Sequence, residues 1–259
     1  MIGAIVGDII GSAHEFASTK RLDFPLFERA STFTDDSVLS IAVADCILTG
    51  DPYVDAFHRY TKAWPLRSYG THFRRWVETG SRAAYGSWGN GSAMRVSPVG
   101  YAFDDAETVL EEARRSAAVT HDHPEGIKGA QATALAVWMA RTGASKDEIR
   151  AGIRTRFGYD LERTCDAIRP GYTFCESCQG TVPEAIIAFL DSNDYEQAIR
   201  LAISLGGDAD TLACITGGIA AAHYGGVPWE IQERALALLA PPLREVLDRF
   251  CLRYAVPGV

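Results

Sequence analysis

Ser204-Leu205-Gly206-Gly207-Asp208-Ala209-Asp210-Thr211 separates two apolar, Ala-rich segments, Tyr195 to Leu205 and the run that follows Asp210. Both segments repeat their apolar residues with a period near 3.6, so both read as helices. Gly206-Gly207 ends the first, and two carboxylates with a hydroxyl open the second. The helix macrodipole favours an acid at a helix start, and Asp or Thr can cap an orphan N–H there. Capping accounts for one acid. It does not call for two at i and i+2 plus a Thr, placed directly after a Gly-Gly that lets backbones approach closely.

Phe33-Thr34-Asp35-Asp36-Ser37 repeats this grammar ahead of the apolar run Val38 to Ala44. Two oxygen-rich helix starts, remote in sequence, either are ordinary caps or converge into one cage. Carboxylate and hydroxyl oxygens suit Mg²⁺, Mn²⁺ or Ca²⁺, and paired clusters are what a two-metal site needs.

Two stripes of small residues suggest how the clusters would meet. Gly3, Gly7 and Gly11 recur every four residues, with Glu15 next on the same line, and Ala213, Gly217, Ala221 and Gly225 do the same after Asp210. Glycine costs about 1 kcal/mol per helical position relative to Ala, so three on one face imply a compensating close helix contact. Crossing of these two helices would bring their acidic ends together. Glu15, just beyond a buried stripe, reads as a lid or ligand residue rather than a solvated acid.

Nearly every periodic segment matches 3.6 rather than 2, and no internal repeat or linker appears. The expected fold is therefore all-α, with residues 1–259 in a single domain. The expected helices include Val54 to Trp64, Thr71 to Glu78, Asp104 to Val119, Gly126 to Ala140, Val182 to Leu190, Pro228 to Leu239 and Pro242 to Tyr254. A capping box at Ser145-Lys146-Asp147-Glu148 opens one more. Residues 17–33 read as a long loop, and 158–182 as irregular.

The net charge of −8 disfavours a broad grip on a phosphate backbone, so non-specific nucleic-acid binding is not expected. No run of about 18 uninterrupted apolar residues exists to span a membrane. The N-terminus lacks the basic region of a signal peptide and meets Asp8 early. With three of the six cysteines inside helix-like apolar runs, a cytoplasmic address is expected. A monomer is expected too. Cys175-Glu176-Ser177-Cys178 has no second pair to complete a zinc site and no βαβ setting for redox work, so its thiols read as structural.

Gly89-Asn90-Gly91-Ser92-Ala93-Met94-Arg95 is a flexible loop entering a helix, whose amides can cradle a phosphate or form an ordinary turn. His121-Asp122-His123-Pro124 marks another helix start, with Pro124 in its first turn. No third soft ligand nearby supports zinc.

Taken in order, Gly7-Asp8-Ile9-Ile10-Gly11-Ser12-x-x-Glu15, Phe33 to Ser37, Gly89 to Arg95 and Ser204 to Thr211 make the chain resemble the ADP-ribosylglycohydrolase family, over essentially its whole length. The resemblance implies a compact all-α fold, an orthogonal helical bundle, with a centre of two Mg²⁺ or Mn²⁺ ions. It implies that Thr34, Asp35, Asp36, Asp208, Asp210 and Thr211 are metal ligands. Glu15 matches a glutamate beside the metals on a mobile segment and is the first candidate for the gate or proton role, with Asp36, bridging toward water, second. Gly89, Asn90, Gly91, Ser92 and Met94, with His121, His123 and Gly126, fall where the family contacts diphosphate and ribose. Ala209 departs from the Ser or Thr usual in the motif, at a position that is not a ligand. The implied reaction is metal-dependent hydrolysis of the glycosidic bond at the anomeric carbon of ADP-ribose attached to a protein side chain or other acceptor, releasing ADP-ribose. A non-catalytic ADP-ribose-binding or structural member, or a hydrolase of a related nucleoside-type metabolite, is the alternative.

Overall fold

The local signals resolve into helices along the chain in a computed structural model that describes residues 1–258. Helix α1 (Ile2–Gly11) runs into a short 3₁₀ turn (Ser12–His14), and α2 (Asp35–Thr49) starts where Thr34 caps it by accepting from the Asp36 amide. Then come α3 (Tyr53–Ala63), α4 (Thr71–Glu78), α5 (Gly91–Met94), α6 (Ser97–Ala102), α7 (Ala106–Ala118) and α8 (Pro124–Arg141). The capping box at Ser145 forms as expected and opens α9 (Lys146–Phe157). The chain continues through α10 (Cys165–Ile168), α11 (Cys178–Asp191), α12 (Tyr195–Ser204), α13 (Ala209–Tyr224), α14 (Trp229–Leu236) and α15 (Pro241–Arg253). No β-strand occurs among the described residues, only an isolated bridge between Gly89 and Ser177. The fold is thus a compact all-α bundle, and its buried apolar side chains join in one cluster.

Three details differ from the sequence reading. Helix α11 begins at Cys178, not Val182, and carries Pro183 in its interior. An interior proline costs about 3 kcal/mol. Here the first turn is anchored from outside, because Ser177 Oγ accepts from the Gly180 amide and the Cys178 amide donates to Trp88 O at 3.0 Å. The short helix α10 lies inside the stretch read as irregular, and α6, with Pro98 and Gly100, has no strong period to reveal it.

Helices α1 and α13 form the axis of the molecule. A Cβ added to Gly7 would lie 2.1 Å from Ala213 O, one on Gly3 2.2 Å from Gly217 O, and one on Gly11 2.5 Å from Ala209 O. Residue numbers rise along α1 as they fall along α13, so the pair is antiparallel and in backbone contact. The three glycines cost about 1 kcal/mol each. Buried Ile2, Ile5, Val6, Ile9 and Ile10 each contribute about 1.5–3 kcal/mol, which outweighs that cost. The antiparallel register carries the C-terminal end of α1, and Glu15 beyond it, to the N-terminus of α13. No helix among the described residues is long and apolar enough to cross a membrane.

Candidate functional site

The seam places two sets of acids side by side. Oxygens of Asp8, Asp36 and Asp210 lie within 4.8 Å of one another, and so do oxygens of Glu15, Asp208 and Asp210. Asp210 belongs to both sets. Asp35, Asp36, Asp208, Asp210, Thr211 and Glu15 line one cavity of about 520 Å³, so the two remote helix starts share a site. That volume lies within the range of small-molecule and cofactor pockets.

Asp8 was not singled out from the sequence. It is fully buried in α1 and ties the α2 start to that helix. Its carboxylate accepts from Thr34 Oγ1 at 2.6 Å, Thr34 N at 3.0 Å and Ser37 N at 3.1 Å, and from the Ser37 hydroxyl. The available signal was a lone charge inside an otherwise apolar helix, a burial that only bonded partners or an ion make tolerable. Asp36 accepts weakly from Thr34 Oγ1 and Thr211 Oγ1, both at 3.4 Å, while its buried Oδ1 has no partner.

Capping does not explain Asp208. It occupies the N-cap position of α13 but makes no side-chain capping bond. Instead its Oδ2 accepts from Asn90 Nδ2 at 2.7 Å, and Asn90 is fixed in turn by Thr181 Oγ1 at 3.1 Å. The Gly-Gly turn before it places Gly206 at φ +70°, a left-handed conformation that glycine adopts without penalty. Two other segments clasp this turn: Lys20 donates to Leu205 O and Tyr172 O, and the Tyr172 ring lies against Gly207.

Electrostatics set this cluster apart from a surface acidic patch. None of these acids has an Arg or Lys ion-pair partner, the ion pairs lying elsewhere. Two carboxylate charges 4.8 Å apart repel by about 3 kcal/mol at an effective dielectric of about 20. Burial first, and then the neighbouring acids, hold Asp35, Asp36 and Asp210 well above the usual carboxylate range. Burial also raises Asp8. Glu15 is only half-buried, yet desolvation, Asp208 and Asp8 push it up to about 7. The donors are all oxygen, Asp36 Oδ1 is buried without a partner, and the cluster lacks countercharge. These features fit hard divalent cations.

Of the residues expected to meet a substrate, Gly89, Asn90, Gly91, Met94 and His121 line the cavity. Ser92, His123 and Gly126 do not. Ser92 donates to Gly126 O at 2.7 Å, His123 caps α8 by accepting from the Glu125 amide, and Gly126 lies close against Ser87 O. The Gly89 and Asn90 amides are taken by Ser87 Oγ and Glu176 O, and Ser92 is fully buried away from the cavity, so the phosphate cradle expected of this loop is reduced to the amide of Gly91. The Cys175 and Cys178 thiols are free. Cys178 is buried in α11 with Sγ 3.0 Å from Gly89 O, in keeping with a structural role.

The wall formed by Ser68 to Arg74 was also not anticipated. Ser68 sits at φ +62°, which costs a non-glycine residue about 1–2 kcal/mol. Strain of this kind concentrates at functional sites, and Ser68 lines the cavity together with Glu15.

Asn90 provides a direct check on the arrangement. Asn90→Leu removes the donor that aims Asp208, and the affinity for Mn²⁺ is expected to fall about 10–100-fold, as with other residues that orient ligands. Calorimetric titration of Mn²⁺ into both proteins measures this, and equal dissociation constants would refute the role.

Comparison with known proteins adds the relationship. The family model described as ADP-ribosylglycohydrolase matches residues 1–257. The chain is 28% identical to ADP-ribosylhydrolase ARH3 of Bos taurus, across 87% of this chain and 84% of that protein. It is 26% identical to ADP-ribosylarginine hydrolase Tri1 of Pseudomonas putida, across 90% and 72%. A solved structure titled ADP-ribosylglycohydrolase-related protein complex superposes with a TM-score of 0.73 at 26% identity, over 98% of this chain and 96% of that one.

Proposed function

The chain belongs to the ADP-ribosylglycohydrolase family, and from that premise we propose that it is a divalent-cation-dependent hydrolase that releases ADP-ribose from a protein side chain or another acceptor. The observation that carries this reading is the pair of carboxylate triads sharing Asp210 in a ligand-sized cavity. Asp36, Asp208 and Asp210 would hold two Mg²⁺ or Mn²⁺ ions, with Thr34, Asp35 and Thr211 beside them and Asp8 orienting Thr34. When bound, the ions supply Lewis acidity and offset the negative charge of the cluster.

The remaining chemistry falls to the residues of the chain. The bond from the anomeric carbon to the acceptor breaks, a bond from that carbon to a water oxygen forms, and the proton lost by water is delivered to the departing acceptor. The carbon passes through an oxocarbenium-like state. Glu15, raised to about 7 at the cavity edge, is suited to take and return that proton near neutrality. Asp36, which lines the cavity, would orient the water. The Gly91 amide offers a donor to the diphosphate without a basic surface, in keeping with the acidic chain.

The deciding experiment measures ADP-ribose release from arginine-linked, serine-linked and nucleic-acid-linked substrates and from O-acetyl-ADP-ribose, with EDTA, Mg²⁺ or Mn²⁺. Release from at least one substrate, abolished by EDTA, is the expected result. No release from any of them would overturn the reading.

Cation binding should also appear as stability. In the metal-free protein the cluster carboxyls have raised pKa values, so the unfolded chain ionises before the folded one does. Stability is greatest below the ordinary carboxylate range and falls as pH climbs from there, for Glu15 from 4.5 to about 7. Mg²⁺ or Mn²⁺ at about 100 times its dissociation constant adds roughly 2.7 kcal/mol, or about 5–10 °C in Tm for a chain of this size. Thermal scans should show this increment growing from acid to neutral pH. An increment that is absent or shrinks with pH would count against the site.

A further inference from the structure

Arg95 is fully buried where α5 ends, and its guanidinium makes no ion pair: the nearby acid, Asp35, acts on it only through space. It lies 4.4 Å over the Phe57 ring, and Nη2 donates to Ser116 O and to Thr120 Oγ1, each at 3.0 Å. Nε and Nη1 have no partner. A buried charge without a counterion is costly, so its one side-chain hydrogen bond calls for explanation.

That bond feeds a chain. Thr120 Oγ1 also lies 2.7 Å from His121 Nδ1, and both residues are buried. Arginine can only donate, so the Thr120 oxygen is an acceptor towards Arg95 and its single proton must go elsewhere. No other acceptor for this hydroxyl is in reach among the described residues. If the hydroxyl donates to Nδ1, every group is satisfied. If Nδ1–H donates to the hydroxyl, a buried O–H is left without a partner. The first arrangement puts the imidazole proton on Nε2. An imidazolium would bring back the orphaned hydroxyl, and burial together with the Arg95 charge already drives His121 well below its usual pKa. Nε2 makes no hydrogen bond within the protein. It is not sealed off, and it lies beside the bare backbone of Gly91, where an added Cβ would come within 3.2 Å.

We propose that Arg95 and Thr120 are positioning residues that lock His121 as the neutral Nε2–H tautomer, making Nε2–H a permanent donor to an acceptor oxygen of the bound substrate. The opposite tautomer would present a lone pair to the phosphoryl or ribose oxygens of an ADP-ribosyl group, which would repel them. The identity of that acceptor rests on the proposed function. The tautomer does not, which lets the two fail separately.

The test uses the full chain with ¹⁵N-labelled histidine. In the ligand-free wild-type protein at neutral pH, the His121 ring should show pyrrole-type nitrogen at Nε2 and pyridine-type nitrogen at Nδ1. The near-isosteric Thr120→Val should lose this signature and raise KM for the ADP-ribosyl substrate about tenfold with a smaller change in kcat, the size expected for one hydrogen bond to a charged group. Thr120→Ser, which keeps the hydroxyl, should restore both. A protonated Nδ1 in the wild type overturns the proposal even if no variant folds. A Thr120→Val protein with wild-type KM also overturns it, leaving Arg95 to act by charge alone. If no ADP-ribosyl substrate is turned over, the nitrogen signature still decides the tautomer.

Discussion

Asp210→Asn is expected to lower ADP-ribose release by about 10²–10³-fold or more, the loss typical of deleting a preorganised electrostatic group. The melting temperature of the metal-free protein should stay level or rise. Both outcomes come from one geometry. Asp210 is the residue common to the two triads, so its loss weakens both cation positions at once. It is also buried, unpaired with any base and held well above the usual carboxylate range by burial and by Asp208 and Asp36. Neutralising a buried charge among like charges relieves repulsion, which is the opposite of breaking a buried ion pair. Asp36→Asn should behave similarly, whereas Asp8→Asn should also cost stability, because Asp8 accepts from Thr34 and Ser37. Turnover measured alongside a thermal scan checks this. An Asp210→Asn protein that keeps wild-type turnover would remove the basis of the metal site.

Gly7→Ala should destabilise the protein by about 3 kcal/mol, at the upper end for overpacking a tight contact. The obstruction is backbone: the new Cβ would lie 2.1 Å from Ala213 O and 2.6 Å from Ala213 C. No rotamer relieves such a clash, so α1 and α13 must move apart. Activity should fall with stability, because these two helices carry Asp8 and Asp210 to the same place. Gly171→Ala is the matched control, since an added Cβ there meets nothing within 4 Å and the backbone is not left-handed. It should be neutral or slightly stabilising. Urea unfolding of the two variants gives the comparison, and a Gly7→Ala protein within about 0.5 kcal/mol of wild type, the range of innocuous surface changes, would refute the close seam.

The parts of this arrangement that were legible in the sequence are those written in helical periods. Glycines at every fourth position of α1 announced a backbone contact, and the matching stripe of α13 named its partner. Asp35, Asp36, Asp208 and Asp210 stood out because helix starts rarely need so many oxygens. The site's other half was not legible, because its meaning is tertiary. Asp8 gains its role from Thr34 and Ser37, more than twenty residues away. Asn90 was expected to meet the substrate through the family likeness, but its bond to Asp208 shows only once the fold brings the two together. Ser68 is one polar residue in a loop, and only its left-handed backbone marks it. Pro183 misled for a related reason: a proline in the first turn is the usual preference, but Ser177 and Trp88 secure an earlier start.

The seam between α1 and α13 bears on how the protein is made. Its halves are about 200 residues apart, so on a ribosome adding roughly 5–20 residues per second, α1 waits on the order of 10–40 s for its partner to emerge. During that time its Ile-rich flank lacks the cover that α12, α13 and α14 provide in the folded protein. The nascent chain is therefore the stage at which this protein most needs a chaperone, and a codon-level slowdown before Asp208 would lengthen the exposure.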